Sequence, residues 1–239
     1  MKTILISYIN RSGSTFLLNE LSKFKTMGCL PEADQLVKLT LSNHINPARN
    51  LEKFITHLSK TRKDPKLAKA KLTTNFAFTT PNVSDTKGDI FLQCLYDLTN
   101  QIWPDATITV FKNTFCHYIY NKYYANNPDV GLILLTRDPR AIFNSQKNTQ
   151  GSWNKPMSSS AIQTALEWNY FMDYKNRMLK ESPARVIEVK FENLVLNIDR
   201  EIRRILSLIE TADNYTITKA RSFAKLIPDE LKKYIRISI

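Results

Sequence analysis

Seven consecutive residues near the N-terminus, Asn10-Arg11-Ser12-Gly13-Ser14-Thr15-Phe16, combine a cation, three hydroxyls and a glycine. They close an apolar run and open a helical pattern. The first turn of a helix carries unpaired backbone N–H groups and the positive end of the peptide dipoles, so it holds anions. Gly13, one of only five glycines in the chain, lets the backbone come close to such an anion. Ser12, Ser14 and Thr15 can donate further hydrogen bonds, and Arg11 adds charge. The chemistry implied is phosphate or sulfate binding. It is not the P-loop of ATPases, whose GxxxxGK[ST] pattern needs a lysine where Ser14 stands. The same residues would also make a plain strand–helix turn with capping serines, so the loop alone leaves the choice open.

A second constellation lies at Leu134-Leu135-Thr136-Arg137-Asp138-Pro139-Arg140-Ala141-Ile142-Phe143-Asn144-Ser145. Asp138-Pro139 is an N-cap followed by proline at the first helical position. An arginine at the strand end and a hydroxyl two helical turns later can grip one phosphate together. The alternative is a helix start with structural charges.

The elements that must position these residues follow from periodicity. Ile4–Ile9 is a short β-branched run and reads as a buried strand. Ser14–Lys25 has the apolar spacing of a helix. Further helices are expected at Ala48–Arg62, Asp89–Asn100, Thr114–Ala125, after Pro139, at Ser158–Leu179 and at Ile198–Ile209. Strands are expected at Thr107–Phe111, Gly131–Thr136 and Arg185–Lys190. The continuous apolar run of Gly131–Thr136 suits a strand covered on both faces. Residues 66–85 show no period, and the tail from Tyr215 reads as two short helices. Strands alternating with helices predict an α/β fold, a central parallel sheet flanked by helices. With no repeat and no linker, the 239 residues read as a single domain. Ligands of such sheets bind beyond the carboxyl ends of the strands, which is where both constellations fall.

Arg11-Ser12-Gly13-Ser14-Thr15-Phe16-Leu17 resembles the 5′-phosphosulfate-binding loop of sulfotransferases, [RK]-S-G-[ST]-[ST] after the first strand. The Arg137–Ser145 segment resembles that family's 3′-phosphate-binding segment, with the same spacing from arginine to serine. Val186–Val195 resembles its late strand–helix segment. The resemblance spans residues 4 to about 209 and looks closest to the bacterial and carbohydrate-type members. It implies a P-loop-like sulfotransferase domain over residues 1–239 and a sulfuryl donor, 3′-phosphoadenosine 5′-phosphosulfate (PAPS), used without a metal. It implies nucleotide binding by Arg11, Ser12, Gly13, Ser14, Thr15, Phe16, Arg137 and Ser145, with Arg11 also stabilising the leaving group. Related enzymes carry a basic glutamate soon after the first helix, which points to Glu32, with Asp34 as the substitute. They also carry a lysine facing the sulfuryl group, which points to Lys112. Trp168 sits where many members carry a tryptophan on a long helix, but an aromatic at helical spacing is more often core than ligand contact, so it is not assigned to the site. The chain lacks the K-T-H motif and the C-terminal R-K-G stretch of the cytosolic branch.

Composition sets the remaining bounds. A net charge of +12 attracts polyanions without choosing among them. Three widely spaced cysteines, Cys29, Cys94 and Cys116, predict no disulfide framework and a reducing, cytoplasmic setting. The pair Cys116-His117 lacks the partners a zinc site needs. His44, His57 and His117 match no family position. The apolar N-terminus breaks at Asn10-Arg11, too early for a signal peptide, and no run approaches a membrane span. The expected partners are therefore a nucleotide donor and an unidentified acceptor, with no nucleic acid. The rival classes are a nucleotide-dependent kinase of related fold, which the missing lysine disfavours, and a basic nucleic-acid or membrane-surface module, which only the net charge supports. Acceptor choice is expected to lie in residues 33–85 and 146–165.

Overall fold

Five strands pair in the order β2-β3-β1-β4-β5 in the computed structural model, which describes residues 1–32, 34–41, 86–149, 157–158, 160–182 and 184–209. The helix expected at Ala48–Arg62, the unpatterned 66–85 stretch and the two helices of the tail lie outside the described residues.

The strands are β1 (Lys2–Tyr8), β2 (Met27–Leu30), β3 (Ile108–Lys112), β4 (Val130–Thr136) and β5 (Val186–Lys190). The sheet is parallel and flanked by helices, an α/β arrangement. β3 pairs in parallel with both β1 and β2, Ile4 opposite Val110 and Cys29 opposite that same residue on the other side. Every residue of β4 is buried, as a strand covered on both faces requires. β1 is central, with neighbours reached by connections in opposite directions, the arrangement in which ligands gather beyond the carboxyl ends of parallel strands.

The helices are α1 (Ser14–Leu21), α2 (Asp34–Leu41), α3 (Lys87–Ile102), α4 (Cys116–Ile119), α5 (Pro139–Asn148), α6 (Ala161–Glu181), α7 (Phe191–Leu196) and α8 (Ile198–Ser207). Local chemistry starts several of them. Thr86 and Asp89 form a reciprocal capping box before α3. Asp138 caps α5 by accepting from Arg140 N at 2.8 Å, with Pro139 in the first turn. Ser160 caps α6 through Gln163 N.

Some expectations differ from these bounds. The first helix stops at Leu21 rather than Lys25, because Ser22 to Thr26 turn the chain into β2. β2 has no sequence signature beyond four residues, and it depends on Gly28: a Cβ there would lie 2.3 Å from Thr99 Cγ2. The tyrosine-rich segment is α-helical only from Cys116 to Ile119 and then widens to a π-helical stretch over Tyr120–Tyr124, with Tyr120 and Tyr124 buried.

The chain divides into two units, Met1–Ser7 with Thr15–Leu132, and Tyr8–Ser14 with Ile133–Ile239. In the first, Phe91 of α3 packs edge-to-face on Phe111 of β3, ring centroids 5.6 Å apart. Within the second, Lys175 of α6 and Thr136 of β4 both bond the Glu188 carboxylate of β5, at 3.1 Å and 2.8 Å. That pairing satisfies a lysine only 6% exposed, as a buried charge requires.

Candidate active site

The loop Ile9–Gly13 leaves β1 and opens α1. Ser12 N donates to Ile9 O at 3.0 Å, closing a tight turn. Arg11 has φ 75° and Gly13 φ 91°. Gly13 is required twice over: its φ suits a residue without Cβ, and a Cβ there would sit 2.2 Å from Phe191 Cδ2. The first turn of α1 carries no acidic side chain, so its positive end is left for a ligand. Ser12 is only 1% exposed, and among the described residues its Oγ has no hydrogen-bond partner. A buried, unpartnered hydroxyl beside a helix N-terminus can donate to an anion placed there.

Arg137 and Ser145, expected from the family-like segment, meet that loop. Arg11 Nε donates to Ser145 Oγ at 3.0 Å, and Arg137 Nη1 donates to Arg11 O at 2.9 Å. None of the ion pairs among the described residues includes Arg11. The Arg137 guanidinium lies 4.6 Å from the centre of the Phe191 ring, a cation–π contact. Trp168 Nε1 donates to Arg137 O at 3.1 Å. Trp168 is half-buried rather than part of the core, and its indole fixes the strand end that carries Arg137. Asp138 N donates to Glu192 Oε1 at 2.9 Å, anchoring the same corner to α7.

The other unit holds Lys112, Glu32, Asp34 and Thr15. Lys112 ends β3 and is 7% exposed. Its Nζ donates to Thr15 Oγ1 at 3.5 Å and lies 3.9 Å from Glu32 Oε2. Burial pushes the Lys112 ammonium below the usual lysine range, and the Glu32 carboxylate pulls it partly back. Lys112 Nζ thus links Thr15 to Glu32, whose side chain is 38% exposed. Asp34, the first residue of α2, accepts from Asn113 Nδ2 at 3.0 Å. Phe16 is half-buried on α1.

The remaining titratable candidates have other roles. His117 is buried, its Nδ1 is 2.6 Å from Ser7 Oγ, and burial pushes its imidazole down to about 4. Cys29, Cys94 and Cys116 are buried, and burial pushes the Cys94 thiol up to about 12. Among the described residues no group of three His, Cys, Asp or Glu could hold a metal ion. No described helix is long and apolar enough to cross a membrane.

Residues 4–214 match the model of a family described as the sulfotransferase family. The chain belongs to that family. Its fold is also that of solved sulfotransferase domains. One is the "Sulfotransferase Domain from the Synechococcus PCC 7002 Olefin Synthase": TM-score 0.56, 16% identity, covering 97% of this chain and 82% of that one. Another is the "Sulfotransferase Domain from the Curacin Biosynthetic Pathway": TM-score 0.53, 14% identity, covering 89% of this chain and 75% of that one. No curated protein sequence matches the chain.

Within this sulfotransferase-family fold, the residues that hold the predicted ones were not among the sequence candidates. Phe191 floors both Gly13 and Arg137. Gln146 donates to Asn10 O at 3.2 Å. Asn113 carries Asp34. Phe191 had a signal, since it begins the family-like Phe191-Glu192-Asn193-Leu194 stretch. Gln146 and Asn113 had none beyond following Ser145 and Lys112.

Proposed function

We propose that residues 1–239 form one cytoplasmic sulfotransferase domain that moves a sulfuryl group from PAPS to an acceptor hydroxyl or amine. The observation that carries this reading is the cluster of Arg11, Arg137 and Ser145 around a helix N-terminus with an orphan buried Ser12 hydroxyl. Those features suit a ligand with two anionic ends. The N–H groups and hydroxyls of Ser12, Gly13, Ser14 and Thr15 would receive the 5′-phosphosulfate, with Phe16 behind them. Arg137 and Ser145 would hold the 3′-phosphate. A guanidinium has five N–H donors, of which one goes to Arg11 O, and Ser145 keeps its own O–H while accepting from Arg11.

The transfer is an in-line displacement at sulfur. The acceptor oxygen or nitrogen forms the new bond to sulfur and loses its proton to the Glu32 carboxylate. The bond from sulfur to the 5′-phosphate oxygen breaks, and its electron pair leaves on the phosphate. Arg11 and the loop N–H groups stabilise that growing charge. Lys112 supplies a second cation, held beside Glu32 and Thr15. Asp34 is the substitute base. Positioning and electrostatics carry such a reaction, as they do in phosphoryl transfer.

The test is release of 3′-phosphoadenosine 5′-phosphate from PAPS, screened with pooled sugar, lipid, peptide and small-molecule acceptors in the presence of a chelator. Acceptor-dependent release in one pool is the expected result. Tight PAPS binding with no release in any pool would leave a nucleotide-binding protein without transferase activity and refute the enzymatic reading.

A further inference from the structure

The turn that presents Arg11 is held in a conformation its sequence does not favour. Ser12 N bonds Ile9 O at 3.0 Å, so Asn10 and Arg11 are the two central residues. Arg11, at φ 75°, is the one non-glycine residue with positive φ among the described residues. This is the third position of a type II turn, which normally takes glycine. An L-residue there crowds its Cβ against the backbone. Rotating the single peptide between Asn10 and Arg11 would give the commoner type I turn and return Arg11 to negative φ.

That peptide is held by one side chain. Gln146 Nε2 donates to Asn10 O at 3.2 Å. The following carbonyl, Arg11 O, is held by Arg137. Gln146 is 3% exposed, and its Oε1 accepts from Thr164 Oγ1 of α6 at 2.9 Å. Asn10 O can only accept, so the amide must turn its NH₂ towards the loop and its oxygen towards Thr164. Both ends of the amide are therefore satisfied in one orientation. Strained backbone persists only where its surroundings over-determine it, and here Gln146 and Arg137 are those surroundings.

We propose that Gln146 is a positioning residue that keeps Arg11 in its left-handed turn and so aims the guanidinium at Ser145 and the anion site. The ligand side of this inference rests on the PAPS reading above; the backbone side does not. It also makes α6 part of the donor site through Thr164.

The experiment is a double-mutant cycle read by calorimetry with 3′-phosphoadenosine 5′-phosphate, together with a ligand-free crystal structure of Gln146→Met. Methionine keeps the length of glutamine and removes the donor. Gln146→Met should weaken binding about five- to tenfold, the value of one hydrogen bond. In an Arg11→Gly background the same substitution should cost less than twofold, because glycine takes positive φ freely. Equal losses in both backgrounds would reduce Gln146 to packing and overturn the proposal. Should Gln146→Met fold poorly, Thr164→Val frees the far end of the amide and should repeat the pattern at two- to threefold; equal loss with and without Arg11 overturns it in that series too. If the parent protein binds no nucleotide, the PAPS reading fails and the crystal structure decides alone. Arg11 at negative φ and off Ser145 in Gln146→Met supports the proposal; Arg11 still near φ 75° on Ser145 overturns it.

Discussion

Gly13→Ala adds one methyl carbon where the structure has no room for it. The new Cβ would lie 2.2 Å from Phe191 Cδ2 and 2.3 Å from Cε2, far inside van der Waals contact. The ring would have to shift by about 1 Å or more, and overpacking of this kind costs about 1–3 kcal/mol. Alanine must also hold φ 91°, which costs an L-residue about 1–2 kcal/mol. Together these give roughly 2–5 kcal/mol of lost stability. Displacing the ring also disturbs its contact with Arg137, at 4.6 Å, so nucleotide affinity should fall with stability. Urea denaturation measures the first effect and calorimetry the second. Pairing the change with Phe191→Leu separates the two causes, since removing the ring relieves the clash but not the φ. The two substitutions should therefore couple by about 1–3 kcal/mol. A Gly13→Ala protein within about 0.5 kcal/mol of the parent, the range of neutral surface changes, would refute the reasoning.

Three further outcomes are expected. Arg137→Ala should weaken PAPS binding about ten- to a hundredfold, the value of a charged hydrogen bond, and adenosine 5′-phosphosulfate clearly less in competition assays, by the share that comes from releasing Arg11 O; equal loss for both nucleotides would make Arg137 purely structural. Glu32→Gln should lower turnover by about 10²–10⁴ with nucleotide affinity unchanged, and normal turnover in steady-state assays would pass the base role to Asp34. His117 is neutral in the fold down to about pH 4, while the unfolded chain takes up its proton near pH 6.5. Stability from this group is complete above pH 6.5 and falls as pH drops towards 4, by about 3 kcal/mol in all. Urea titrations of His117→Asn should show a flatter acid slope, and an unchanged slope would remove His117 as the cause.

The sequence made the strand–turn–helix settings of Arg11–Thr15 and of Arg137–Ser145 legible because both depend on local spacing. A strand end, a turn and a helix start fix those side chains, and residue type reports each. The strands with long apolar runs were legible for the same reason. β2 was not, because its four residues depend on Thr99 and Trp103 packing over Gly28, contacts made across the chain. The π-helical stretch at Tyr120–Tyr124 was hidden because the tyrosines fit ordinary helical spacing equally well. Trp168 was set aside as a ligand contact because its spacing is helical, and only the fold brings its Nε1 to Arg137 O. Gln146 and Phe191 carry no chemistry of their own, and their importance comes from the backbone they hold. Residues expected to choose the acceptor lie mostly in 42–85 and 150–156, outside the described residues.

The most direct test of the account is calorimetry of 3′-phosphoadenosine 5′-phosphate against ATP, with a chelator present. The cluster of Arg11, Arg137 and Ser145 predicts tight binding of the first without magnesium. ATP, which lacks the 3′-phosphate, should bind at least tenfold more weakly, the equivalent of losing one charged hydrogen bond. Equal affinity for the two nucleotides, or binding that requires magnesium, would contradict the assignment of the donor.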